Sequence, residues 1–93
     1  LTRKFFRMIR RYKDLKEITV ISMEECGELI QALSKCFRTE FRKDMLKNLS
    51  EEVGDVEMMI SLLKKRGLIN NKIVVEQKRK RKEKLKKWSN IHL

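Results

Sequence analysis

Glu24-Glu25-Cys26-Gly27-Glu28 and Glu51-Glu52-Val53-Gly54-Asp55 are close to one phrase written twice. Each sets two glutamates just ahead of a further carboxylate, inside a stretch whose apolar residues recur with helical period. On a helix, Glu25 and Glu28 share a face at i and i+3, and so do Glu52 and Asp55. At about 100° per residue, Ile18, Ile21, Ser22, Glu25, Leu29, Ala32 and Cys36 project into one narrow sector. Met45, Leu49, Glu52, Val56, Met59 and Leu63 form the matching line downstream. Glu25 and Glu52 thus sit within apolar stripes, with Glu28 and Asp55 on their borders. A carboxylate on a buried stripe is unfavourable unless positive charge compensates it. Its recurrence on two stripes predicts two antiparallel helices that meet along these faces.

Boundary signals frame those helices. Asp14, with Glu17 three residues on, has the pattern of a capping box and predicts a helix over 14–38. The β-branched run Thr19-Val20-Ile21 weakens it locally, but the period carries through. A second helix is expected over 41–66, with Gly67 as its stop and Lys64, Lys65 and Arg66 favourably placed near the negative end of its dipole. Asn70 or Asn71 is suited to cap a last helix over 72–89. On that helix Val74, Lys78, Arg81, Leu85 and Trp88 fall on one line, which puts two cations on an inward stripe. Residues 2–12 interleave Phe5, Met8, Ile9 and Tyr12 with basic residues and predict a short amphipathic helix. The expectation is an all-α protein: a small bundle of two long antiparallel helices, a short N-terminal helix and a basic C-terminal helix, forming one domain over 1–93.

Composition agrees with that class. The chain has 93 residues, no proline and three glycines, as suits a helical domain. A chain this short buries a limited core alone, and one that places carboxylates on its inner stripe is expected to gain burial by forming a homo-oligomer. The net charge of +11 is unevenly spread. Residues 24–57 hold nine of the thirteen acids, whereas residues 64–93 hold twelve basic residues and two acids. An acidic middle followed by a basic end suits a ligand that carries both metal and phosphate, and also suits attraction to nucleic acid. Cys26 and Cys36 form no CxxC pair and His92 is the sole histidine, so a zinc site is not expected. With no secretory signal and no apolar run long enough to cross a membrane, the expected location is cytoplasmic, with free thiols and no membrane partner.

Carboxylates converging from two helices make an oxygen-rich site that suits Mg²⁺, or Mn²⁺, over zinc. A hard divalent cation beside Lys and Arg is suited to polyphosphate chemistry. A di-iron bundle needs Glu-x-x-His pairs, which this sequence lacks.

The order of the motifs, Glu24-Glu25-x-x-Glu28, then 23 residues, then Glu52-x-x-Asp55, resembles the EExxE…ExxD signature of the all-α nucleoside triphosphate pyrophosphatases. This MazG-like superfamily also holds dimeric dUTPases, dCTP pyrophosphatases and phosphoribosyl-ATP pyrophosphohydrolases. The similarity spans roughly residues 14–85 and is carried most strongly by EECGELIQAL and EEVGDVEMMI. Lys78-x-x-Arg81 is similar, more loosely, to basic residues on the helix after ExxD. The resemblance implies hydrolysis of a nucleoside triphosphate between the α and β phosphates, with Mg²⁺ as cofactor, in a homodimer or homotetramer whose active site lies near a subunit interface. It implies Glu25, Glu28, Glu52 and Asp55 as metal ligands, and Glu24 or Glu25 as the carboxylate that orients or deprotonates a metal-activated water for attack on the α-phosphorus. It implies Lys78 and Arg81 as contacts to the β and γ phosphates, a role that neighbouring Arg79 and Lys82 can also fill. No nucleobase-reading motif accompanies the signature. The alternative expectation is a basic helical module that binds nucleic acid without catalysis. It leaves the carboxylates on the buried stripes unexplained.

Overall fold

A computed structural model describes residues 2–93, and these form three helices with no strand among the described residues. The helices are α1 (Arg3–Arg38), α2 (Lys43–Lys65) and α3 (Asn71–Trp88). α1 and α2 pack side by side as an antiparallel hairpin, and this is the one extensive interface between elements. Both predicted stripes meet there. Ile18, Ala32, Cys36 and Met59 are buried, and Ile21, Ser22, Glu25, Leu29, Met45, Leu49, Glu52, Val56 and Leu63 are half-buried. Ser22 satisfies its hydroxyl inside the seam by donating to the Ile18 carbonyl at 2.7 Å.

Two contacts fix the register. Near the turn, the Cys36 thiol donates to the Met45 carbonyl at 3.3 Å. At the far end, Arg66 Nε donates to Asp14 Oδ2 at 2.6 Å in a part-buried ion pair. Midway between these locks, Asp55 is the charge that acts most strongly on Glu25, and Glu28 the one that acts most strongly on Glu52.

The N-terminal region corrects one expectation. Residues 2–12 do not form a separate helix; α1 is continuous over 36 residues, about 54 Å at 1.5 Å per residue. Its N-cap is Thr2, whose side chain accepts from the Phe5 amide, and Asp14 is an interior helical residue. The Asp14 carboxylate is used instead by Arg66, 52 residues away in sequence. With that partner at the end of α2, the first three turns of α1 extend past the hairpin, and Phe5, Phe6, Met8 and Tyr12 are exposed.

The helix ends follow local chemistry. After α1, the Phe41 amide donates to the Cys36 carbonyl at 2.8 Å and the Glu40 amide to the Phe37 carbonyl at 3.4 Å, the pattern of a Schellman stop. Glu40 (φ 52°) and Phe41 (φ 63°) both occupy the left-handed region, unfavourable by about 1 kcal/mol for each such residue. The end of α2 repeats the motif with Leu68 donating to Leu63 and Gly67 to Lys64, both at 3.0 Å, and here glycine holds the left-handed position at φ 79°. Arg11 also reaches this end, donating to the Arg66 carbonyl at 3.3 Å. Asn70 caps α3, its side chain accepting from the Lys72 and Ile73 amides.

The inward stripe expected on α3 is not formed. Val74 and Leu85 are half-buried, but Lys78, Arg81 and Trp88 are exposed. Within one chain α3 packs extensively on neither long helix, so only part of the line is covered.

Two glycine substitutions separate backbone strain from packing. A Cβ at Gly67 or at Gly54 meets nothing within 4 Å. Gly67→Ala should therefore destabilise the chain by about 1 kcal/mol through its left-handed backbone alone. Gly54→Ala, in open helix, should stabilise it by about 0.5–1 kcal/mol. Urea unfolding of both variants checks the opposite signs.

Candidate metal centre

The hairpin brings Glu25, Glu52 and Asp55 together, with one carboxylate oxygen from each lying within 4.8 Å of the others. Glu25 and Glu52 are half-buried and Asp55 is exposed. Helical geometry explains the grouping. Glu25 and Glu52 lie on the seam itself, while Asp55 lies about a quarter turn round α2, on one open side of the hairpin. Glu28 occupies the equivalent quarter turn on α1, and Glu24 lies beyond it. Both are exposed.

The electrostatics record the crowding. Partial burial, then the charges of Asp55, Glu52, Glu28 and Glu24, hold the Glu25 carboxyl above the usual range for glutamate. Glu52 is raised in the same sense, first by partial burial and then by Glu28, Asp55 and Glu51, with Lys35 acting the other way. One oxygen of Glu52, Oε2, is buried and has no hydrogen-bond partner. A buried acceptor without a partner is unfavourable, and here it lies among like charges. The donor set is entirely carboxylate, on two helices and open to one side. Oxygen donors of this kind fit a hard divalent cation such as Mg²⁺ or Mn²⁺, and no hydrogen bond to Glu52 Oε2 competes for that carboxylate.

Of the residues expected at the site, three are gathered. Glu28 stands at the edge, and its charge acts on both Glu25 and Glu52. Lys78 and Arg81 are exposed on α3 and are not gathered with the carboxylates within one chain. Lys35 joins the site only through the fold, where its charge opposes the raised pKa of Glu52. Its signal was spacing: seven residues beyond Glu28, two helical turns along the same side.

Comparison with protein-family models, with curated proteins and with solved structures finds no match to this chain.

The raised carboxyls have a consequence for stability. A group that binds its proton more tightly folded than unfolded makes stability fall as pH rises. The repulsion at Glu25 and Glu52 is thus fully present above their raised pKa values. It is relieved as pH falls towards about 4.3, the ordinary glutamate value. Asp44 and Glu76, held low by hydrogen bonds from Arg42 and Arg79, act oppositely, and their contributions are lost only at lower pH. In EDTA, the melting temperature should rise as pH is lowered from neutral to about 5. Glu52→Gln should raise it by a few degrees at neutral pH and flatten that rise. A lower melting temperature for Glu52→Gln in EDTA would contradict this electrostatic picture.

Proposed function

We propose that this chain is a Mg²⁺-dependent nucleoside triphosphate pyrophosphohydrolase, with Mn²⁺ able to substitute, acting as a homodimer or homotetramer. The supporting observation is the cluster of half-buried Glu25 and Glu52 with exposed Asp55, where the buried Oε2 of Glu52 lacks any hydrogen-bond partner. Such a cluster opposes folding unless a cation offsets it. The reaction class comes from the order of the two acidic motifs, which resembles the MazG-like signature.

In this reading Glu25, Glu52 and Asp55 hold the cation, with Glu28 at the margin. When bound, Mg²⁺ or Mn²⁺ withdraws charge from phosphoryl oxygens and lowers the pKa of water. Glu24 or Glu25 orients the attacking water and takes up its proton. The water oxygen bonds to the α-phosphorus and the bond from that phosphorus to the α–β bridging oxygen breaks. The products are a nucleoside monophosphate and pyrophosphate. Lys78 and Arg81 offset the charge of the departing β and γ phosphates. Because they stand on the exposed α3, this role requires α3 to lie over a carboxylate cluster in the assembled enzyme.

A second reading, a nucleic-acid-binding module, is favoured by α3 itself. Its 18 residues hold no buried side chain, and its basic residues point to solvent on every side. Binding of that kind would weaken steeply with salt. It gives the carboxylate cluster no role.

The deciding assay is pyrophosphate release from a panel of ribo- and deoxyribonucleoside triphosphates, with Mg²⁺ and with EDTA. Release with metal and none with EDTA is expected. Glu52→Gln and Asp55→Asn should each lower turnover at least about 100-fold, since even outer partners of metal ligands contribute 10–100-fold, and both should keep their helical content. Unchanged turnover in either variant would overturn the site. No release from any triphosphate, together with salt-sensitive RNA or DNA binding, would favour the second reading.

A further inference from the structure

The turns of α1 that extend past the hairpin have two unlike faces of their own. Residues 3–13 hold six basic residues and no acid. At about 100° per residue, Arg10, Arg3, Arg7, Arg11 and Lys4 fall within about 120° of one another. Met8, Tyr12, Phe5 and Ile9 fall within about 100°, on the other side of the helix. Lys13 and Phe6 lie on the border between the two faces. All of these residues are exposed, Met8 by 61% and Tyr12 by 63%. At the base of this arm the apolar face meets a shallow recess lined by Tyr12, Leu15, Val20 and Leu68.

Neither face is answered among the described residues. The ion pairs there are Arg42–Asp44, Arg66–Asp14, Arg79–Glu76 and Lys86–Glu83, so none neutralises a cation of the arm. Arg11 reaches the hairpin, but through the Arg66 carbonyl. Arg3 with Arg7, and Arg7 with Arg11, are like charges at i and i+4, which oppose the helix. Arg3 and Lys4 also stand in a first turn without an acid, where the helix dipole favours anions. The arm therefore suits a partner that is anionic and apolar at once. A bilayer with anionic headgroups is both. A helix about 10–12 Å thick that sinks about 5–10 Å into such a surface keeps its cationic side level with the headgroups. A polynucleotide would meet the cations and leave the opposite, apolar face in water.

We propose that residues 3–13 of α1 lie in the surface of an anionic bilayer. Phe5, Met8, Ile9 and Tyr12 turn toward the acyl chains, and the arginines and lysines sit among the headgroups. Among the described residues no helix is long and apolar enough to cross a membrane, and lying in the surface requires no such span. The expectation of no membrane partner rested on the lack of a span and does not bear on this contact. The assignment is independent of the chemistry of the carboxylates.

The experiment is co-sedimentation of the full chain with vesicles of phosphatidylcholine, and with vesicles of phosphatidylcholine and phosphatidylglycerol in equal parts. Binding to the mixed vesicles should be at least about tenfold tighter than to the neutral ones. Phe5→Ser/Ile9→Ser, which keeps the net charge, should bind mixed vesicles at least about tenfold more weakly than wild type. Arg3→Gln/Arg7→Gln/Arg10→Gln should lose the preference for anionic lipid, whereas Lys84→Gln/Lys86→Gln on α3 should bind as wild type does. The arm stands outside the hairpin, so all variants should keep their helical content. Equal binding to neutral vesicles, wild-type binding by Phe5→Ser/Ile9→Ser, or loss in the α3 variant alone would each overturn the proposal. So would a wild type that binds neither vesicle. DNA binding lost in the triple arginine variant would then give the cations to nucleic acid, and a change of sedimenting mass in Phe5→Ser/Ile9→Ser would give the apolar face to a second copy.

Discussion

Two glutamates sit on the seam that holds the hairpin together. Glu25 and Glu52 occupy positions where the stripe is otherwise apolar, and they face each other's neighbours across it. The locks that set the register are Cys36 against Met45 at one end and Asp14 against Arg66 at the other. Between them, Ile18, Ala32 and Met59 supply the buried apolar contact. The hairpin thus holds like charges together in its middle by contacts at its ends. That arrangement opposes stability in the free chain and is the basis for reading the middle as a cation site.

The same geometry divides the hairpin into two sides. Each stripe is narrow, so residues a quarter turn either way remain uncovered. One side collects carboxylates and Lys35, the other the exposed apolar residues Leu33, Phe37, Val53 and Ile60. Among the described residues four apolar side chains are buried, so one layer of two packed helices supplies a small core. The carboxylate cluster and the exposed apolar residues are then two results of one construction, on opposite sides of one seam.

Much of this was legible in the sequence, for a local reason. Helical period places Ile18, Ala32 and Cys36 on one line and Met45, Met59 and Leu63 on another whatever the rest of the chain does. Gly67 and Asn70 carry their stop and cap signals in their own chemistry. What the sequence hid depends on distant partners. Asp14 followed by Glu17 has the form of a helix start, but α1 runs through it from its cap at Thr2, and the Asp14 carboxylate pairs with Arg66 from the end of α2 instead. Lys78 and Arg81 lie on a line with Val74 and Leu85, but a line becomes an inward face only when something packs on it. Lys35 joins the carboxylates only once the register is known. Glu40 and Phe41 adopt positive φ without the glycine that usually signals it.

Under the proposed reading, the carboxylates in the seam bind a hard divalent cation. It is tested most directly by titrating the full chain with Mn²⁺ and following the electron paramagnetic resonance signal of the free ion. Cation binding in the seam predicts loss of that signal with saturable stoichiometry, competition by Mg²⁺, and little binding by Glu52→Gln. Mn²⁺ that stays free at millimolar concentration, or that binds Glu52→Gln as well as the natural chain, would contradict it.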